Sequence, residues 1–209
     1  SGMSGNRSLD IDSHPVANVA WEDAARFLNW LSKKDGLPAF YREENGTMVV
    51  VDPAGLGYRL PSEAEWAFAA RMAGQKERAR YPWVGKYPPK TKAGNFADES
   101  ARHLLPLVIE GYNDGFAASA PTASFPANPA GIHDLGGNVA EWCHYYYSVF
   151  NGNAEKNVVD PMGPTSGAHR VVRGSSWRDA SITELRFSYR RYSREAANDI
   201  GFRIARYAK

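Results

Sequence analysis

The chain has 209 residues, of which 43% are hydrophobic and 12% aromatic, and its formal net charge is +2. This length suits one domain with a sizeable core, and the apolar content argues against disorder. The small charge, with no basic run interleaved with aromatics, argues against a nucleic-acid partner. No apolar run approaches the roughly 20 residues that a transmembrane helix needs.

The opening residues, Ser1–Asn6, lack the basic and apolar regions of a signal peptide. We expect residues 1–13 to be a tag or a disordered lead, and residues 14–209 to form a single domain. Cys143 is the only cysteine, which excludes an internal disulfide. The core must therefore be held by packing and, where the chemistry allows, by bound ions.

The first helix is predicted from about residue 22 to residue 34. Phe27, Leu28 and Leu31 recur at helical spacing, and Gly36 offers a left-handed stop. We expect this helix to bury one face.

The second helix is marked by its start. Ser62 and Glu65 form a Ser-x-x-Glu capping box, and Gly74 is expected to end the helix. Between the two helices, residues 48–51 follow an Asn-Gly pair and are predicted to form one strand of a small hairpin.

Residues 81–129 are rich in Pro, Gly, Asn and Ala and show no sustained period. This stretch is too long for an ordinary connection, so we expect something other than secondary structure, such as bound ions, to order it. Residues 170–173 and 202–206 alternate apolar and basic side chains, which predicts two half-buried strands.

The segment 134–142 places two carboxylates on either side of a glycine turn. Asp134 and Glu141 would offer side-chain oxygens, with the carbonyls of Gly137 and Val139 between them. Calcium takes six to eight such oxygens, so the segment predicts a calcium site. The alternative is a glycine turn between strands with a capping Asp.

Several blocks, read in order, resemble the formylglycine-generating enzyme (sulfatase-modifying factor) superfamily. The resemblance implies an α+β, C-type-lectin-like fold with little regular secondary structure. The segment that members usually carry before the block beginning at Pro15 is expected to be missing. The blocks are His14-Pro15-Val16 with Trp21-Glu22-Asp23-Ala24, Tyr58-Arg59-Leu60-Pro61-Ser62-Glu63-Ala64-Glu65-Trp66, Gly94-Asn95-Phe96, Gly136-Gly137-Asn138-Val139-Ala140-Glu141-Trp142, Arg170-Val171-Val172-Arg173-Gly174-Ser175-Ser176-Trp177 and Gly201-Phe202-Arg203.

The resemblance implies a second calcium site. Asn95 with the carbonyl of Phe96, and Asp114 with the carbonyl of Phe116, match the family's ligands. The alternative is an Asp-Gly turn with an Asx cap. We therefore expect one or two calcium ions. Sites of modest affinity stay filled only where calcium is abundant, which favours a periplasmic or extracellular location.

In the catalytic members two cysteines bind monovalent copper, because soft sulfur ligands select Cu(I). The matching positions here are Asp179 and Glu184. Formylglycine generation with copper is therefore excluded, and no copper is expected. The iron-dependent relatives need a His-x-x-x-His-x-Glu motif that the five histidines do not form.

Two functions stay open. The first is a calcium-stabilised module that binds a peptide, a protein or a small anionic ligand, as in ligand-displaying variable proteins of this fold. Its groove is expected at Trp177, Arg178, Arg186, Tyr189 and Arg190. The alternative, that the arginines of this region tie carbonyls and carboxylates together, applies to Arg173, Arg186 and Arg203.

The second function is a non-copper oxidoreductase, resembling the relatives that mature the pyoverdine chromophore. It would use Glu184, and Asp179 beside it, as catalytic carboxylates whose pKa burial has raised. The alternative for Glu184 is a structural carboxylate paired with Arg178 or Arg186. Cys143 is expected to be a small, buried packing residue away from both carboxylates.

Overall fold

The computed structural model describes residues 3–4, 7–149 and 161–208. Two α-helices, one 3-10 turn and several short strands account for its regular structure, so the expected α+β fold with little regular secondary structure is confirmed. The elements are β1 (Met3–Ser4), β2 (Arg7–Ser8), α1 (Trp21–Lys34), β3 (Tyr41–Glu44), β4 (Thr47–Val50), α2 (Glu63–Arg71), the 3-10 turn Glu99–Ala101, β5 (Ala140–Tyr146), β6 (Arg170–Arg173), β7 (Arg190–Ser193) and β8 (Ile200–Gly201).

The predicted first helix is confirmed as α1. It buries Trp21, Ala24, Ala25 and Leu28 on one face. The expectation that Phe27 is part of that face is wrong, because Phe27 is 45% exposed and contacts Trp30 on the outer side.

The predicted second helix is confirmed as α2, including its capping box. The hydroxyl of Ser62 accepts from the amide of Glu65, and the Glu65 carboxylate accepts from the amide of Ser62. These two bonds satisfy backbone donors that the first helical turn leaves free. Trp66 and Ala70 on the inner face are buried.

The predicted hairpin is also present, with its strand shifted by one residue. Strands β3 and β4 pair antiparallel, and Asn45 and Gly46 both adopt positive φ at the turn. Asn-Gly suits this geometry because both residue types tolerate the left-handed region.

A four-stranded sheet in the order β7-β6-β5-β8 forms the centre of the fold. Strand β5 pairs antiparallel with β6 and parallel with β8. Neighbouring residues on a strand face opposite ways, so Trp142 and Val172 pack with α1 and the hairpin, while Cys143 and Val171 pack with Trp66 of α2.

Because both faces of the sheet are covered, β6 differs from the expected half-buried strand. All its residues are buried, including Arg170 and Arg173. Arg170 lies between the rings of Trp21 and Tyr146, with its guanidinium carbon 3.4 Å and 3.6 Å from the ring centres. The basic residues of β6 are therefore structural.

The prediction of a strand over residues 202–206 is wrong in its bounds. The strand pairing with β5 ends at Gly201, and beyond it only Ala205 forms a bridge, with Arg59. The chain leaves the sheet at this point, and the side chain of Arg203 turns towards Glu141.

Residues 81–129 are folded with almost no regular structure, as expected. Phe96, Ile109 and Tyr112 from this stretch form a core cluster with Ala180 and Leu185. Apolar packing thus accounts for part of the order that we had ascribed to ions.

The expectation of a tag or disordered lead over residues 1–13 falls partly outside the described residues. Within them, β1 pairs with β2, and Leu9 is buried against Ala118 and Trp177. Packed structure therefore begins before residue 14, the expected boundary.

Candidate functional site

The two positions that match the copper-binding cysteines lie in the loop after β6. Backbone bonds fix this loop: the amide of Trp177 donates to the carbonyl of Asn138, and the amide of Ala97 donates to the carbonyl of Asp179. Asp179 is buried, and its Oδ2 lies 2.8 Å from the amide nitrogen of Ser176. Asp179 is therefore buried and held by hydrogen bonds within the folded chain.

Asp179 belongs to a closed polar cluster with Ser176, Arg191 and Asp199. The hydroxyl of Ser176 lies 3.2 Å from Asp179 Oδ2 and 2.9 Å from Asp199 Oδ2. The guanidinium of Arg191 lies 3.3 Å and 3.1 Å from the same two oxygens. Burial raises the pKa of Asp179, while the charge of Arg191 acts in the opposite direction. The carboxylate is thus held mainly by partners within the protein.

Glu184 is only half-buried, and its Oε2 accepts from the amide of Ser181 at 3.3 Å. Its charge is close enough to raise the pKa of Asp179 further. Neither Arg178 nor Arg186 forms an ion pair with it, so the expected structural pairing of Glu184 is wrong. The two carboxylates are neighbours, but they offer hard oxygen atoms that do not suit Cu(I).

None of the five residues expected to form a ligand groove lines any of four cavities found among the described residues. Trp177 is buried, and Arg178 donates to the side chain of Asn198 at 3.0 Å. Arg186 donates to the carbonyl of Thr183. Tyr189 is half-buried, in a turn with its amide bonded to the carbonyl of Arg186.

Arg190, the last of the five, is part of a buried ion network. Its guanidinium lies 2.5 Å and 2.8 Å from the two carboxylate oxygens of Glu63, and Arg173 lies 2.6 Å from one of them. Burial alone would raise the pKa of Glu63, but the two arginines outweigh it and lower that pKa. Arg190 and Arg173 thus tie α2 to the sheet.

The two acids of the first expected calcium site, Glu141 and Asp134, already have partners within the protein. Arg203 forms a two-point ion pair with Glu141, with nitrogens 2.5 Å from Oε2 and 2.6 Å from Oε1, and Trp66 also donates to Oε2. Asp134 instead accepts from the amide of Ala123, and burial raises its pKa. Gly137 donates its amide to Ser175, and the side chain of Val139 is buried. The guanidinium of Arg203 thus contacts the two carboxylate oxygens of Glu141 that a calcium ion would need.

The second expected site contains one buried oxygen without a hydrogen-bond partner. Asn95 is buried, its amide nitrogen donates to the carbonyl of Ala118, and its Oδ1 has no hydrogen-bond partner. An acceptor buried without a partner is costly. The adjacent amide of Phe96 donates to Asp114, which ties the two loops together.

Asp114 is the acid of this second site. It is buried and accepts from the amides of Phe96 and Phe116 at 3.0 Å and 2.8 Å. Burial raises its pKa to about 7, and the charge of Asp98 adds to that shift. A bound cation would supply the partner that Asn95 Oδ1 lacks and favour the charged form of Asp114.

Sequence reasoning missed two features of this region. One is the polar cluster that Arg191 and Asp199 form with Asp179. The other is a groove of about 1000 Å³ between residues 74–85 and 125–136. The sequence signal for it was the long irregular stretch, which we interpreted only as an ion-ordered segment.

No helix in the described part of the chain has the length and apolar character needed to cross a membrane. The same residues contain no cluster of three His, Cys, Asp or Glu side chains placed to hold a metal ion. The second expected calcium site does not conflict with this, because Asp114 is its one carboxylate and its other donors are an amide and carbonyl oxygens.

Comparison with known proteins finds relatives among the formylglycine-generating enzymes. The chain is 31% identical over 175 residues to a formylglycine-generating enzyme of Thermomonospora curvata, which covers 83% of this chain and 48% of that protein. The chain spans about half the length of the formylglycine-generating enzymes that it matches.

Solved structures share the fold. Treponema denticola variable protein 1 superimposes with a TM-score of 0.76 at 25% identity, covering 98% of this chain and 76% of that one. PvdO from Pseudomonas aeruginosa superimposes with a TM-score of 0.69 at 24% identity, covering 96% and 64%. A family model matches residues 3–208, and the chain therefore belongs to the family of the sulfatase-modifying factor enzyme 1-like domain.

Proposed function

We propose that this chain is a ligand-binding module of its family, stabilised by calcium and without formylglycine-generating activity. The observation that carries the proposal is the environment of Asp179 and Glu184, at the two positions that match the copper-binding cysteines. Asp179 is bonded to Ser176 and Arg191, and Glu184 to a backbone amide. Oxygen ligands of this kind do not select Cu(I).

The single cysteine does not replace the missing pair. Cys143 is fully buried under α2, in the cluster that contains Trp66, Val171 and Phe187. Burial raises the pKa of its thiol well above the ordinary value, so the thiol stays protonated at neutral pH. Because the thiolate is the form that binds metal and attacks substrates, Cys143 has neither role.

Calcium is the ion that we propose for Asn95, Phe96, Asp114 and Phe116. The orphaned Oδ1 of Asn95 and the buried carboxylate of Asp114 support this assignment. We propose one ion, because Arg203 already occupies Glu141 at the other loop. A site of modest affinity would be filled in a calcium-rich compartment, so we propose that the chain works in the periplasm or outside the cell.

Treponema denticola variable protein 1 has this fold over nearly the whole chain. Fold alone does not assign function, so the weight of the proposal stays on Asp179 and Glu184. A peptide, a protein or a small anionic molecule is the proposed class of ligand.

The proposal is tested by competition for copper. The protein is titrated into a coloured complex of Cu(I) with a chromophoric chelator under anaerobic conditions, with dithiothreitol as the positive control. The expected result is no loss of colour at one equivalent of native protein. Withdrawal of one equivalent of Cu(I) by the native protein would show a soft-ligand site and overturn the proposal.

One observation favours a second candidate, a non-copper oxidoreductase. The raised pKa of buried Asp179 is the kind of shift found at acid–base residues. Against it, neither Asp179 nor Glu184 lines the groove of about 1000 Å³ or the three smaller cavities found in the described structure. We therefore place the binding module first.

A further inference from the structure

We propose that the groove between residues 74–85 and 125–136, here called the basic groove, binds an extended acidic peptide. This inference rests on the proposed binding function and adds its site and its class of ligand. The basic groove has a volume of about 1000 Å³ and is lined in part by the buried side chains of Leu135 and Phe187. It lies apart from the residues expected to form a groove.

The basic groove is fixed by contacts between its two walls. A Cβ atom on Gly74 would lie 2.8 Å from the carbonyl carbon of Pro129, and one on Gly136 would lie 2.7 Å from Cγ of Pro82. The walls therefore touch at two separate points. A site that is already shaped loses little conformational entropy when a ligand binds.

Hydrogen bonds strengthen this arrangement. The side chain of Asn128 donates to the carbonyl of Ala69 in α2 at 2.8 Å. The amide of Phe187 donates to the carbonyl of Arg80 at 3.0 Å. One wall is thus anchored to α2 and the other to the loop before β7, so both are held by the folded core.

One wall presents three cations that form no ion pair in the part of the chain that the structure describes. Lys76, Arg78 and Arg80 are exposed along the basic groove, and none of them forms an ion pair within the described residues. Of the acids in the lining, Glu77 lies on the same wall, and Asp134 already accepts from a backbone amide. Guanidinium groups without partners suit carboxylates, which they bind with two parallel hydrogen bonds.

Arg71, at the end of α2, adds to this positive charge. Burial lowers its pKa, the nearby charge of Arg78 lowers it further, and its Nε has no hydrogen-bond partner. Like charges packed together without an anion are unfavourable. An anionic ligand bound at Arg78 would reduce this repulsion.

Aromatic side chains next to the cations provide an apolar surface. The rings of Tyr81 and Trp83 stack with centres 4.8 Å apart, and the guanidinium of Arg80 lies 5.4 Å from the Tyr81 ring. Phe125 and Phe187 add buried rings to the lining. The groove is at the upper end of the size of small-molecule sites, and its cations are spread along one wall, so an extended chain with spaced carboxylates fits it better than a compact ligand.

The test measures fluorescence anisotropy with a labelled pentapeptide, Glu-Phe-Glu-Tyr-Glu. The charge-reversed Lys-Phe-Lys-Tyr-Lys serves as the control peptide. We expect saturable binding of the acidic peptide that weakens with added salt, and none of the basic peptide. Arg78→Glu with Arg80→Glu is expected to weaken binding at least about tenfold, since two charge-assisted contacts are lost. Arg42→Glu, which makes half of that charge change on the exposed hairpin, is expected to leave binding unchanged.

The three substituted side chains are exposed, and the melting temperature of each variant shows whether it is folded. Equal binding by the groove variant and the wild type would overturn the proposal, as would failure of the acidic peptide to bind. Tighter binding of a labelled single-stranded oligonucleotide would overturn the peptide assignment, because basic grooves with aromatics also hold nucleic acid. None of these outcomes affects the copper competition, so the two proposals fail separately.

Discussion

The guanidinium of Arg203 holds both carboxylate oxygens of Glu141, with nitrogen–oxygen distances of 2.5 Å and 2.6 Å. Arg203 follows β8, and Glu141 lies on β5 opposite Gly201, so the pair links these two parallel strands. The pair fixes the side chain of Glu141 next to the end of the loop that contains Gly137.

Removing Arg203 should be strongly destabilising. Arg203→Ala leaves the buried carboxylate of Glu141 with only Trp66 as a side-chain partner, and breaking one half of a buried pair typically costs about 3–5 kcal/mol. Urea denaturation measures the loss. The control is Arg186→Ala, where the side chain bonds only a carbonyl at the surface, and its cost should stay below about 1 kcal/mol. A small loss in Arg203→Ala accompanied by new calcium binding at Glu141 would contradict the ion-pair account.

Calcium should stabilise the protein through Asp114 and not through Asp134. The expected gain is about 2.7 kcal/mol at a free calcium concentration one hundred times the Kd, because only the folded state binds the ion. Asp114→Asn should abolish this gain and Asp134→Asn should retain it. Melting temperatures with calcium and with a chelator make the comparison, and equal responses of the two variants would disprove the assignment.

The acid at this site also predicts a pH dependence without calcium. The pKa of Asp114 is raised by burial to about 7 in the folded protein, against 3.8 as its ordinary value. A carboxyl group whose pKa is higher in the folded protein than in the unfolded chain contributes its full stabilisation at pH values below the unfolded pKa. That contribution is lost as the pH rises through the folded pKa. In the presence of a calcium chelator, the free energy of unfolding of the wild type should fall by up to about 1.4 kcal/mol per pH unit between pH 4 and 7, relative to that of Asp114→Asn. Parallel stability curves for the two proteins would contradict the raised pKa.

The thiol of Cys143 should be unreactive in the folded protein. Burial holds it protonated and out of contact with solvent, so a thiol reagent at neutral pH should label it only after urea unfolds the chain. Cys143→Ser should cost about 1–3 kcal/mol, because it buries a hydroxyl without a designed partner. Rapid labelling of the native protein would show an accessible thiol instead.

The capping box should contribute to the stability of α2. Ser62→Ala removes the hydroxyl that accepts from the amide of Glu65 and should cost about 1 kcal/mol. Ser188→Ala, at an exposed serine, is the matched control with no expected loss. Equal midpoints of urea unfolding for the two variants would show that the cap adds nothing.

The parts of the fold that the sequence predicts well are determined by contacts between residues close together along the chain. The Ser62–Glu65 box and the Asn45–Gly46 turn act within four residues, so their structures follow from local chemistry. Cys143 was expected to be buried, and it is. In each case the determining contacts are short-range or follow from residue type.

The features that the sequence does not predict depend on contacts between distant residues. Glu141 and Arg203 are 62 residues apart, and Glu63 and Arg190 are 127 apart. An acid in a loop suggests a cation, but only the fold shows that the cation is a guanidinium. The basic groove was missed for the same reason, since its walls come from segments about fifty residues apart.

The central claim is that this chain binds a ligand and does not oxidise one. Oxygen uptake in an electrode, with Cu(I), reductant and a cysteine-containing peptide, and separately with a phenolic siderophore precursor, tests it most directly. The account predicts no uptake above the protein-free rate with either substrate, because Asp179 and Glu184 stand where thiolates are needed and Cys143 is buried. Sustained uptake that depends on the native protein, with either substrate, would contradict it.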